Sequence, residues 1–255
     1  MDDWLTTFRI LIAAGLALLL VMLRLEAVRF NAAEYDEPVD GRPPSLRRRV
    51  YWYAIGLLLV AGILLIHPSP RDDFNLGAGD RGRTILLGFL YAAIGTTTAL
   101  SVAWYRYRRL RFPDAWSYPG ALLNAVVTAL IDEVTFRGAI FGLLLLSGMD
   151  ANAANVIQTI VYALATRLGA PGRNRYMLLM AIAVGLGGGW ITGVTGGIAA
   201  AFLGHAVTRF AVFVSTGHAG QFLPRGREVE EIEAKRRPPK GWRVIGPREP
   251  ASRDR

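Results

Sequence analysis

Apolar residues in this chain run in blocks about as long as a bilayer crossing, separated by short stretches rich in arginine. A helix needs about 20 mostly apolar residues to cross ~30 Å of hydrocarbon. Seven blocks approach that length, at residues 10–25, 51–66, 84–105, 120–147, 153–165, 176–194 and 196–214. The fourth is interrupted by Asp132, Glu133 and Arg137, the fifth is short, the sixth is glycine-rich, and the seventh holds His205 and Arg209. The pattern predicts an all-α, polytopic transmembrane helix bundle of about seven spans. The stretch from Pro113 to Pro119 has room for an eighth helix lying along the interface.

Basic residues orient these spans. Seven crossings put the termini on opposite sides. The connections after spans one, three and five, together with the C-terminal tail, hold 23 of the 29 Lys and Arg residues. The opposite side holds Arg9, Arg71, Arg81 and Arg83. That asymmetry predicts a multi-pass protein of the plasma membrane with the N-terminus outside and the C-terminus in the cytoplasm. Residues 1–9 carry two Asp for one Arg, and no cleaved signal peptide is expected. Three regions follow: a three-span part over residues 1–114 with a cytoplasmic loop at 26–49, a core over 115–216, and a basic tail over 217–255. In the tail, Glu231–Lys235 and Glu233–Arg237 suit one short surface helix. The expected environment is membrane lipid. With Trp242 the only aromatic residue among the tail's basic positions, no nucleic-acid partner is expected.

Composition narrows the chemistry. The 255 residues include no cysteine, which excludes a disulfide scaffold, a cysteine zinc site and a thiol nucleophile. The glycines between 185 and 197 lack a following Lys-Ser/Thr, so they predict close helix packing and not a phosphate loop. His67 and His218 fall at span ends and are expected at the interface.

The informative residues are the charges inside the spans. Asp132, Glu133, Arg137 and Arg209 would together cost about 10–14 kcal/mol at mid-bilayer unless paired or wetted. Their signs sum to zero. Glu133 and Arg137, four apart, suit an intrahelical ion pair. Asp132 shares a helical face with Asn124, Thr128 and Thr135, and has no evident partner on its own helix. Asn155, Thr159, Tyr162 and Thr166 form a second polar stripe, and His205 with Arg209 a third. The expectation is a polar cavity between spans four, five and seven, open on one side. There a carboxylate could take a proton from water while imidazole and guanidinium hold a developing oxyanion.

The run Asp132-Glu133-Val134-Thr135-Phe136-Arg137-Gly138 resembles the Glu-Glu-x-x-x-Arg signature of the CPBP membrane proteins. That family comprises the type II CAAX prenyl endopeptidases and the bacteriocin-processing (Abi) proteins. Tyr162-Ala-Leu-Ala-Thr166 stands where the family has Phe-x-x-x-His, and His205-Ala-Val-Thr-Arg209 where it has His followed four residues later by Asn or Asp. The glycine-rich turn at 192–197 is also similar, and the resemblance covers about residues 115–215. It implies an intramembrane endopeptidase with Asp132 as the base, Glu133 and Arg137 as its supporting pair, and His205 as an oxyanion or orienting residue. Arg209 is a candidate oxyanion donor. This chain differs from the signature at Asp132, Thr166 and Arg209.

The expected function is hydrolysis of a peptide bond, in a peptide or protein substrate that includes lipidated ones, by carboxylate-activated water in a cytoplasm-open cavity. The alternatives are a catalytically impaired relative acting as a membrane binding partner or scaffold, and a carrier built on the intramembrane charges. No inverted repeat supports the carrier. No cofactor is predicted. The usual zinc spacing is absent, and metal binding stays open at this point.

Overall fold

The computed structural model describes residues 3–32, 45–107, 110, 118–169 and 175–216. The expected interfacial stretch from Pro113 (but for Tyr118 and Pro119), His218 and the tail from 217 onward lie outside the described residues.

Among the described residues every regular element is helical. In chain order these are α1 (Asp3–Leu25), α2 (Leu46–Ile66), the short α3 (Pro70–Asp73), α4 (Arg81–Tyr107), α5 (Tyr118–Asp132), a π-helix (Glu133–Ile140), α6 (Phe141–Leu146), α7 (Ala151–Leu168), α8 (Arg175–Thr195) and α9 (Ala199–Thr216). Five described helices are long and apolar enough to cross a membrane: Trp4–Leu25, Leu46–Ile66, Arg81–Tyr105, Leu178–Thr195 and Ala199–Thr216. The expected fourth and fifth spans form helices but fall short of that criterion. The fourth carries three charges and is broken into α5, π-helix and α6, and α7 carries Asn, Gln, Thr and Arg.

The outer surface is apolar, as lipid contact requires. Leu58 and Leu65 are 71% and 79% exposed, and Leu86, Phe89, Leu179 and Trp190 also face outward. The interior is built from small residues that let helices approach closely. A Cβ at Gly204 would overlap the Tyr91 ring, one at Gly95 would overlap Thr208, and one at Gly185 would meet Thr159. α9 is enclosed by α4, α5 and α8, which sets its polar residues at the centre of the bundle. The expectation of close packing for the glycine-rich stretch agrees with this: Gly185 and Gly189 lie against the Thr159, Asn155 and Gln158 side chains of α7.

The connection between α2 and α4 is tied down at its end. Asp80 donates its N–H to the Thr195 carbonyl at 2.7 Å, and Ile198 donates to the Asn75 carbonyl at 3.0 Å. Gly79 has φ +72°, and a Cβ there would run into the Thr195 carbonyl. The expected turn at 192–197 is helical up to Thr195, and the end of α8 with Gly196 and Gly197 is a docking point for this connection that needs glycine on both sides. His67 departs from its expected interfacial position. It is 2% exposed, tucked under Phe74 with ring centroids 4.1 Å apart, because residues 70–76 fold back over it.

Candidate active site

The motif residues lie on the π-helix. Such a segment is rare, and π-bulges inside α-helices are frequent at functional sites. Nine consecutive residues, 131–139, are buried, more than one face of an amphipathic α-helix can supply. Gly138 and Gly142 let this rod lie against the chain at 73–76. A Cβ at Gly142 would come within 2.9 Å of the Phe74 Cα, and one at Gly138 within 3.2 Å of the Phe74 carbonyl.

Glu133 and Arg137 form the expected ion pair, Oε1 to Nη1 at 3.3 Å, with both side chains fully buried. Arg137 also donates from Nη2 to the Val184 carbonyl at 2.9 Å and lies 4.2 Å from the Tyr162 ring centroid. Gly188 leaves room for it: a Cβ there would stand 3.1 Å from Arg137 Nε. Charge, hydrogen bond and aromatic face together make a guanidinium tolerable at this depth.

His205 joins the same carboxylate from α9. Its Nδ1 lies 2.7 Å from Glu133 Oε1, and its Nε2 lies 3.3 Å from the Tyr162 hydroxyl. A carboxylate can only accept here, so Nδ1 carries the proton. The neutral ring then offers Nε2 as an acceptor to Tyr162. Glu133, Arg137, Tyr162 and His205 are therefore one network drawn from the π-helix, α7 and α9.

Asp132 is fully buried next to this network, and its partner comes from outside it. Arg24 of α1 places Nε 3.1 Å from Asp132 Oδ1, and the two side chains are 2% and 0% exposed. Arg24, one of the 23 basic residues taken to mark the cytoplasmic side, lies inside α1 and faces inward. The pair lacks hydrogen-bond geometry, so neither Asp132 oxygen has a hydrogen-bond donor among the described residues. Arg209 is 9% exposed, and its Nε and Nη2 likewise have no acceptor there. Its electrostatic neighbours are Arg24, Asp132, Tyr162 and Tyr53.

The five residues singled out in the sequence thus sit in one buried polar region, with two changes of partner. His205 bonds Glu133, and Asp132 pairs with Arg24. The polar stripe that runs from α5 into the π-helix is buried as expected, but its hydrogen bonds are made within the bundle. Asn124 accepts from the Tyr53 hydroxyl at 2.6 Å, and Thr135 donates to the Ile131 carbonyl at 2.6 Å. Thr166, where the family signature has histidine, is 4% exposed, and its hydroxyl has no partner among the described residues. Sequence reasoning missed Arg24 and Tyr91, whose hydroxyl donates to the same Val184 carbonyl at 2.9 Å. An arginine in the last turn of an apolar helix looks like a topology signal, and a lone tyrosine in a span looks like core. Among the described residues no group of three or more His, Cys, Asp or Glu side chains is arranged to hold a metal ion.

An all-helical bundle with apolar outward faces thus encloses a buried acid–histidine–arginine cluster. Residues 114–211 match the family model described as type II CAAX prenyl endopeptidase Rce1-like. That match supports the CPBP/CAAX membrane-protease family for residues 114–211, and together with the apolar helices it supports a membrane location. Searches of curated proteins and of solved structures return no match to this chain.

Proposed function

We propose that this protein is an intramembrane endopeptidase of the CAAX type that cleaves a peptide bond with water activated by Asp132. The observation that carries the reading is the convergence of Asp132, Glu133, Arg137, His205 and Arg209, from two separate rods, into one buried region of a family-matched core. Asp132 Oδ2 is the acceptor for the water proton. The hydroxide adds to the scissile carbonyl, and the Nε and Nη2 protons of Arg209 offset the charge on the tetrahedral oxygen. Glu133, held by Arg137, fixes the tautomer of His205. That makes His205 an orienting residue with an Nε2 acceptor and not an oxyanion donor. The protonated Asp132 then returns its proton to the leaving amine.

The substrate is a peptide or protein segment, lipidated ones included, that enters from the cytoplasm. The arginine asymmetry supports a multi-pass orientation with the N-terminus outside and the basic tail in the cytoplasm. The test is cleavage of prenylated and unprenylated CAAX peptides by the purified full chain in detergent. A general base contributes about 10²–10⁴-fold, so Asp132→Asn is expected to lower kcat by that factor. His205→Ala is expected to lower it as well. Turnover that survives Asp132→Asn removes the base. A wild-type chain inert under conditions where a family member cleaves points instead to a binding or scaffold role.

A further inference from the structure

The geometry points to Arg24 as a positioning residue for Asp132, so that the catalytic unit begins in α1 and not at the start of the matched core. This rests on the reading of Asp132 as the base. An arginine in the last turn of an apolar helix normally extends to the head groups or water. Arg29 behaves that way: it is 78% exposed and pairs at the surface with Glu26 at 2.9 Å. Arg24 turns inward instead, is 2% exposed, and meets Asp132 at 3.1 Å.

Its backbone is held on two sides. The Trp52 indole of α2 donates to the Leu23 carbonyl at 2.9 Å, and Trp52 is fully buried. On the other side, Gly169 at the end of α7 lies so close that a Cβ there would overlap the Arg24 carbonyl. α1 is thereby keyed between α2 and α7, and α7 also carries Tyr162 to the site. The contact is an ion pair through Oδ1 without hydrogen-bond geometry, and neither Asp132 oxygen has a hydrogen-bond donor among the described residues. A guanidinium held this close attracts the carboxylate to one side and keeps both of its oxygens free to accept from water, which is what a base requires. Asp132 also stands as a shared counter-charge for the two guanidinium groups, Arg24 and Arg209, that repel each other across the site.

The test uses the full chain purified in one detergent, with Arg24→Met, Arg24→Lys, Asp132→Asn and the Arg24→Met/Asp132→Asn double variant. A misplaced catalytic group costs about 10²-fold in rate, so Arg24→Met is expected to lower kcat by that order with KM little changed. Arg24→Lys, which keeps the charge, is expected to recover a large part of the loss. In thermal unfolding the double variant is expected to lose less than the sum of the two single losses. A merely structural residue would move the unfolding midpoint without the kcat–KM split or the lysine rescue. Wild-type kcat in Arg24→Met, a raised kcat, no rescue by lysine, or additive unfolding losses each overturn the proposal. If the wild-type chain cleaves no peptide, the endopeptidase reading fails by itself. The unfolding cycle then decides the Arg24 placement alone: coupling upholds it and additivity overturns it.

Discussion

Removing the Glu133 side chain tests whether the buried cluster is one coupled unit. Glu133 and Arg137 are both fully buried and 3.3 Å apart, and the same oxygen receives His205 Nδ1–H at 2.7 Å. Taking away one member of a buried ion pair strands the other and costs about 3–5 kcal/mol. Arg137 would keep the Val184 carbonyl at 2.9 Å and the Tyr162 ring at 4.2 Å. The loss in Glu133→Ala therefore belongs at the lower end, about 3 kcal/mol. For a folded region of this size each kcal/mol moves the midpoint by roughly 2–4 °C, which gives roughly 6–12 °C. Glu133→Gln keeps an amide oxygen for His205, but exchanges a charge-assisted bond for a neutral one about half as strong. It is expected to fall between wild type and Glu133→Ala. The double variant Glu133→Ala/Arg137→Leu removes both charges and is expected to lose clearly less than the sum of the singles. The assay is thermal unfolding of the full chain in a single detergent at fixed pH, followed by near-UV circular dichroism. A midpoint for Glu133→Ala indistinguishable from wild type would refute the reasoning, as would a double variant that loses the full sum.

Two further outcomes follow from the connection that folds over the π-helix. Gly142→Ala pushes a methyl group toward the Asp73 carbonyl and the Phe74 backbone, the latter 2.9 Å away, and overpacking of this kind costs about 1–3 kcal/mol; an unfolding midpoint at or above wild type would show that the segment at 73–76 yields freely. His67, just beyond the end of α2, has its proton affinity lowered by burial, against an opposing pull from Asp73. The unfolded chain therefore takes up a proton at His67 before the folded chain does, so this contribution to stability is complete above about pH 6.5 and is lost as pH falls below it. Unfolding midpoints measured between neutral and mildly acid pH should fall more steeply for wild type than for His67→Asn; parallel curves would contradict the assignment.

Much of the candidate site was legible because of where charge sits in an apolar chain. Asp132, Glu133, Arg137, His205 and Arg209 are conspicuous in the sequence since each would be costly facing lipid. The spacing of Glu133 and Arg137 announced their ion pair, and the density of glycine before α9 announced close packing. Periodicity also located the helices: the seven apolar blocks each contain a helix, although five of the described ones satisfy the length and apolarity of a crossing.

Pairing between rods was not legible, because contacts between distant segments leave no periodic trace. Nothing in the local sequence says that Arg24 turns inward to Asp132 while Arg29 goes to the surface. The difference comes from Trp52 and Gly169 closing around the end of α1. The change from α-helix to π-helix at Glu133 was equally hidden, since an α-helical wheel assigns Asp132 and Glu133 to faces about 100° apart. The sequence alone determined which side chains must leave the lipid. Tertiary structure decided which of them meet, because a buried charge takes whichever opposite charge or dipole the packing of its neighbours brings within about 3 Å.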